Sequence, residues 1–258
     1  MTNLVKPMHQ KKSVPNERRG LVISDLHLFS SRSEGFRLMD NLEKNLADVD
    51  LLVLNGDIFD FKWSQLSSED ETITEAVIWL EKLIVNFSNL EIHYILGNHD
   101  CITKFTESLK KLSSKHKSLK IHGTQLQIDR LLFLHGECTN WKMDESDLIR
   151  FRHAWSQKKM SPRSHALLYD AMDKLGVSKG FHNCYYPKPV TVKRVAYHLD
   201  KILPNWREKI DHCYFGHTHL AFQNYSLDGV HFHNTGSGIR GMEFLPLNFS
   251  INSSPNNK

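Results

Sequence analysis

Leu51-Leu52-Val53-Leu54-Asn55-Gly56-Asp57 is an apolar run that stops at an amide, a glycine and a carboxylate. Four consecutive apolar residues without polar alternation predict a strand buried on both faces, as in a sheet covered by helices. Asp57 then falls just past the carboxyl end of that strand. A single aspartate there reads first as a turn or helix-cap residue. Its two oxygens can also bridge two cations, and the glycine before it lets the backbone come close to what is bound. The same construction recurs along the chain, and the recurrence favours the second reading.

Upstream, Gly20-Leu21-Val22-Ile23-Ser24 predicts a strand that runs into Asp25-Leu26-His27. In extended backbone, residues two apart project to one side, so Asp25 and His27 are expected to face one ion. Phe36, Leu38, Leu42, Leu46 and Val49 mark an amphipathic helix over 36–49, which completes a βαβ unit with the Leu51 strand. Downstream, Ile73, Val77, Leu80 and Ile84 predict a helix over 72–87, and a strand over 92–96 ends in Gly97-Asn98-His99-Asp100. A helix over 103–112 follows, then short strands near 119–121, 126–128 and 130–134, the last ending in His135-Gly136-Glu137. Cys213-Tyr214-Phe215 runs into Gly216-His217-Thr218-His219, and Val230-His231-Phe232-His233 into Asn234-Thr235-Gly236-Ser237.

Strands therefore end repeatedly in Asp, Asn or His beside a glycine. The carboxyl ends of strands in an α/β sheet form one rim, where ligands bind. Asp25, His27, Asp57, Asn98, His135, His217 and His219 would converge there, a set of nitrogen and oxygen donors without thiolate. That chemistry suits manganese first, with iron or zinc as alternatives, and excludes a cysteine-lined structural zinc site. Seven ligands exceed the need of one ion; two divalent ions sharing Asp57 fit better.

With 258 residues, 40% of them hydrophobic, the chain can fill one large core, and a single domain over 21–250 is expected. A basic tail over 1–20, broken by Pro7 and Pro15, and a polar tail over 251–258 would flank it. No apolar run approaches the roughly 18 residues of a membrane span, and the start lacks the apolar segment of a secretory signal, so a cytoplasmic protein is expected. Cys101, Cys138, Cys184 and Cys213 form no CxxC pair and read as small buried hydrophobes. The net charge is +4, but the first 20 residues carry +4 and residues 139–211 carry +6, which leaves −6 for the remainder. An acidic core suits cations, and basic flanks suit an anionic substrate or surface as readily as ordinary solvated helix faces.

The series Asp25-x-His27, Gly56-Asp57, Gly97-Asn98-His99-Asp100, His135-Gly136 and Gly216-His217-x-His219 resembles the calcineurin-like metallophosphoesterase superfamily, with every motif present and in order from about Leu21 to Ser237. The resemblance implies an α/β fold, a two-sheet β-sandwich flanked by helices. It implies that Asp25, His27 and His219 hold one metal, that Asn98, His135 and His217 hold another, and that Asp57 bridges them. Glu137 departs from the aspartate that relatives often carry, without touching this ligand set. The implied reaction is hydrolysis of a phosphate ester or pyrophosphate, in which a water shared by two cations ionises near neutral pH and attacks in line. His99 resembles the catalytic histidine that serves the leaving group. Asp100 either fixes its tautomer or caps the helix that follows.

Substrate choice must then lie outside the shared centre. The basic segment 139–211 is too long for an ordinary connection and reads as a helical lid or cap. Ile149, Arg152, His153 and Trp155 mark one helix, Leu167, Leu168, Met172 and Leu175 a second, and Val192, Val195, Ala196, Leu199 and Ile202 a third, with Thr191 as N-cap. Lys188, Lys193 and Arg194 are expected to bind an anionic phosphorylated substrate or to touch an anionic membrane surface. The insert, with Asp57-x-Phe59-Asp60-Phe61-Lys62-Trp63, is similar to the UDP-2,3-diacylglucosamine diphosphatase group, although His99 stands where that group commonly has arginine. A nuclease stacking bases on Trp141, Trp155 and Trp206 is a weaker reading. A catalytically dead scaffold would need lost ligands, and none is lost.

Overall fold

The computed structural model describes residues 17–161 and 177–252. β1 (Glu17–Ile23), β2 (Leu51–Asn55), β3 (Glu91–Ile95) and β4 (Leu119–His122) run parallel, with β10 (Leu247–Asn252) antiparallel on the outer side of β1. A second sheet has the order β5-β6-β7-β9-β8, in which β6 (Leu131–Leu134), β7 (His212–Phe215) and β9 (Val230–Asn234) are parallel. β5 (Gln125–Ile128) and β8 (Phe222–Leu227) close its edges antiparallel.

The two sheets pack face to face, and the apolar run that opened the sequence shows why it carries no polar residue. Leu51 and Val53 point between the sheets with Val22, Phe133, Tyr214 and Phe249. Leu52 and Leu54 point outward against Met39 of α1 (Gly35–Leu46), Leu80 of α2 (Glu69–Asn86) and Phe105 of α3 (Thr103–Lys115). Each such side chain contributes about 1.5–3 kcal/mol on burial, so a polar residue at any of the four positions would cost stability. Ser68 starts α2 by accepting a hydrogen bond from Glu71 N, which satisfies one of the free amides of its first turn.

The outer face of the second sheet needs a cover as well, and the insert supplies it. Leu148 of α4 (Glu145–Ser156) and Val192, Val195, Ala196 and Leu199 of α6 (Lys188–Ile202) are buried against Leu132, Leu134, Phe215 and Phe232. Trp206, in α7 (Trp206–Lys209), joins them. The described residues of the 139–211 segment are thus a fourth layer of the fold and cannot serve recognition alone. Thr191 lies inside α6 and donates to Lys188 O at 2.9 Å, while the helix starts after Pro187 with Pro189 in its first turn, so Thr191 is not the cap. Leu167, Leu168, Met172 and Leu175 lie outside the described residues.

Both domain edges also shift. Glu17 to Gly20 belong to β1 and Ile251 and Asn252 to β10, since these two strands pair from Glu17↔Asn252 onward. Among the described residues no helix is long and apolar enough to cross a membrane.

Candidate metal centre

The loops that leave β1, β2, β6 and β7 stay hydrogen-bonded beyond their strands. Asp25 N donates to Gly56 O at 3.0 Å, His27 N to Asp57 O at 3.0 Å, and Gly216 N to His135 O at 2.7 Å. To make these bonds while turning outward, Asp25, His27, Asp57, His217 and His219 adopt left-handed backbone, with φ between 49° and 65°. Asp25 and His27 therefore meet through a pair of sharp bends, and the extended geometry expected from their spacing is absent. Gly97 and Gly216 serve close approach: a Cβ would lie 2.2 Å from Asp57 Oδ1 in the first case and 2.2 Å from Asp25 Oδ2 in the second.

Three donor groups result, of which two are built from the expected ligands and the third joins His27 to Asp60 and His99. In the first, His27 Nε2 is 3.1 Å from His219 Nε2, and Asp25 Oδ1 lies 3.3 Å from His219 Nε2 and 3.9 Å from His27 Nε2. The second brings one donor atom each of Asp57, His135 and His217 within 4.8 Å of one another, with His135 Nε2 at 3.1 Å from Asp57 Oδ2. Asn98 follows Gly97 on the same rim, and its Oδ1 is buried with no hydrogen-bond partner.

The residues fit divalent cations on their own chemistry. His135 Nδ1 lies 3.0 Å from Asn55 O, which can only accept, so Nδ1 carries the proton. The lone pair of Nε2 then faces a carboxylate, an arrangement that needs a cation or an extra proton between them. Burial disfavours that proton, yet Asp57 and Asp25 hold His135 well above the ordinary histidine range, which shows how short of positive charge the site is. Burial, with His135 beside it, pushes His217 down to about 4, and burial pushes His219 down to about 3 against the pull of Asp25, so both imidazoles are neutral with a lone pair to give. Burial also resists ionisation of Asp25 and Asp57, but His135 and the neighbouring imidazoles outweigh it and keep both carboxyls below their ordinary range.

Asp60, which sequence reasoning passed over, ties this centre to His99. Its Oδ1 is 3.1 Å from His99 Nδ1 and its Oδ2 is 3.4 Å from His27 Nδ1. One buried carboxylate thus orients a metal-site imidazole and the candidate leaving-group histidine together. Burial lowers the His99 pKa, but Asp60 and Asp57 outweigh it and raise it to about 9. Asp100 does neither task expected of it. Its carboxylate accepts from Ile58 N at 3.0 Å, Tyr94 OH at 2.7 Å and Gly97 N at 2.6 Å, while α3 starts after Ile102 with no side-chain cap. It braces the Gly97 turn. The Asp57-x-x-Asp60 spacing was the available signal, since an aspartate three residues past a strand-end ligand sits on the same loop.

The insert reaches the second cluster through Asn140. Its Oδ1 accepts from Tyr186 OH at 2.6 Å and lies 3.2 Å from His217 Nε2. His182, in α5 (Val177–Tyr185), stacks on His219 with ring centroids 4.9 Å apart. Of the three basic residues expected to meet substrate, Lys188 lines a hollow of about 160 Å³ with His219. Arg194 donates to Thr139 O at 2.6 Å and serves the fold, and Lys193 is exposed on α6.

A family model described as calcineurin-like phosphoesterase matches residues 19–221. The chain belongs to this family. As a calcineurin-like phosphoesterase it is a metal-dependent phosphoester hydrolase on a mixed α/β fold of two sheets flanked by helices. Among solved structures it is similar to a dimetal phosphatase from Danio rerio, at 12% identity over 92% of this chain and 99% of that one, with a TM-score of 0.44. It is also similar to the phosphopantetheinyl hydrolase of Mycobacterium tuberculosis, at 12% identity over 87% and 92% of the two chains, with a TM-score of 0.43. Pseudomonas putida nuclease MPE shares 18% identity over 45% and 53%, with a TM-score of 0.30. A search of curated proteins returned no match.

Proposed function

We propose that this phosphoesterase hydrolyses a phosphate ester or phosphoanhydride at a pair of divalent cations. One cation is held by Asp25, His27 and His219, the other by Asn98, His135 and His217, and Asp57 is shared. The observation that carries the reading is the pair of donor clusters, in which His135 Nε2 meets Asp57 Oδ2 at 3.1 Å and Asn98 Oδ1 is buried without a hydrogen-bond partner. Bound cations lower the pKa of water and offset the charge of phosphoryl oxygens. The chain's own part is to hold and move protons. Asp60 fixes His99 through Nδ1, so the other ring nitrogen is left to donate to the departing oxygen.

Manganese is the proposed occupant, from the mixed nitrogen and oxygen donor set. The substrate is anionic and phosphorylated, and the setting proposed is cytoplasmic, with basic residues of the insert available to a membrane surface. The narrower UDP-2,3-diacylglucosamine reading rests on the Asp57–Trp63 stretch, whose Lys62 stands over the Trp155 ring beside His99. A nuclease gains no support, because Trp206 is buried against Phe232 and Trp155 packs on His99, which leaves Trp141 as the exposed member of the three. The test is metal analysis of the purified protein, then a hydrolysis screen with Mn²⁺ over monoesters, diesters, nucleotide sugars including UDP-2,3-diacylglucosamine, and nucleic acids. Absence of both bound metal and hydrolysis would overturn the proposal.

A further inference from the structure

Beside His99 the indole of Trp155 stands 5.0 Å from the imidazole, centroid to centroid. Two ammonium groups share that indole: Lys158 Nζ lies 3.7 Å from its centroid and Lys62 Nζ 4.8 Å. They come from distant parts of the chain, Lys62 from the loop after β2 and Lys158 from just past α4. Two backbone features bring them together. Asp60 Oδ1 accepts from Lys62 N at 3.2 Å and Trp63 N at 2.9 Å, and Ser161 N donates to Lys62 O at 2.8 Å. The carboxylate that holds His99 therefore also sets the loop that carries Lys62.

Among the described residues neither ammonium pairs with a carboxylate, and a half-buried indole is their common support. Two like charges drawn together, offset in part by Asp60 on the Lys62 loop, make a site for an anion with several acceptor oxygens. The indole that gathers them packs on His99, whose imidazole stands 4.8 Å from that of His27 in the first donor cluster.

We infer that Lys62, Lys158 and Trp155 form a subsite for a second phosphoryl group, carried by the substrate on its leaving-group side, so that the preferred substrate class has two neighbouring phosphates. This deepens the proposed function and rests on the scissile phosphate lying at the donor clusters.

The test is calorimetric binding to the Mn²⁺-loaded protein of two probes without a cleavable P–O–P bond, P,P′-dimethyl methylenediphosphonate, which stands for a diphosphate, and methyl methylphosphonate. In the native chain the diphosphate should bind more tightly, by about tenfold or more, because charge-assisted contacts to a second phosphate are added. Lys62→Ala/Lys158→Ala should erase most of that advantage, and Lys158→Ala alone, at an exposed position that cannot unfold the protein, should erase part of it. Lys62→Arg/Lys158→Arg should keep it. If the variants weaken both probes alike, or neither, the subsite does not exist. Binding is read without turnover, so a protein that holds the diphosphate through these lysines yet hydrolyses nothing would refute the proposed function and leave the subsite standing.

Discussion

Arg152 is the most consequential side chain of the insert, and its removal has a calculable cost. It is buried, and it donates from Nε to Glu137 Oε1, from Nη1 to Gly123 O and from Nη2 to Leu96 O, each at 2.6 Å. Leu96 lies two residues before Asn98 and Glu137 two residues after His135, so one guanidinium fastens α4 to rims of both sheets. Arg152→Ala would leave a fully buried carboxylate and two carbonyls without partners. Breaking a buried pair in this way costs about 3–5 kcal/mol. For a chain of this size each kcal/mol is about 2–4 °C, so the melting temperature should fall by roughly 6–20 °C. The assay is thermal unfolding in chelator, so that metal binding does not enter. Glu137→Asp shortens the reach by one methylene and should fall between native and Arg152→Ala. Arg152→Met/Glu137→Gln removes both charges and should recover most of the loss, because contacts within one network do not add. A single-variant cost below about 1 kcal/mol, or costs that simply sum in the double variant, would refute the clamp.

Asp57→Asn should lose bound metal and activity together; two metals and full turnover in that variant would end the dinuclear reading. His99→Ala should retain metal and lower turnover by roughly 10²–10⁴ on esters with poor leaving groups, with a smaller loss on activated aryl esters. Equal losses on both would deny it a proton-donating role. Asp60→Asn should reproduce that pattern and also weaken metal at the Asp25 cluster, measured by calorimetry, since it releases His27 as well. Lys193→Ala should change nothing measurable and Arg194→Ala should cost about 1 kcal/mol through the lost bond to Thr139 O, whereas Lys188→Ala should raise KM for the natural anionic substrate more than for a small aryl phosphate.

The centre was legible because its signal is local: each donor sits within four residues of a buried strand, and a strand of unbroken apolar residues is hard to misread. β8 and β10 were not foreseen, for different reasons. In β8 the alternation is broken by a register shift between Phe222 and Tyr225, where Asn224 takes a positive φ. In β10 the alternation of Leu247, Phe249 and Ile251 is regular, but its outward residues are the same asparagines and serines that fill the tail beyond it. The partners of His99 and Asp100 were settled by tertiary geometry. An aspartate next to a histidine in sequence need not face it, and here Asp100 turns to the backbone of its own loop and to Ile58, while Asp60 comes across from another.

The five left-handed residues of the rim have a consequence for how this centre tolerates change. Outside glycine, the side chains that most readily accept such a backbone are asparagine, aspartate and histidine, whose short polar groups can bond locally. Those are also oxygen and nitrogen donors for hard or borderline cations. Conformational preference and coordination chemistry thus select the same few amino acids at Asp25, His27, Asp57, His217 and His219. A valine or isoleucine there would be penalised twice, by backbone strain of roughly 1–3 kcal/mol and by the lost donor. Exchange among Asp, Asn and His keeps the bend and, at the four positions other than the shared Asp57, alters the affinity and choice of metal. The shape of the rim therefore narrows the accessible substitutions to ones that still bind an ion, which makes metal preference easier to change in this chain than metal dependence is to lose.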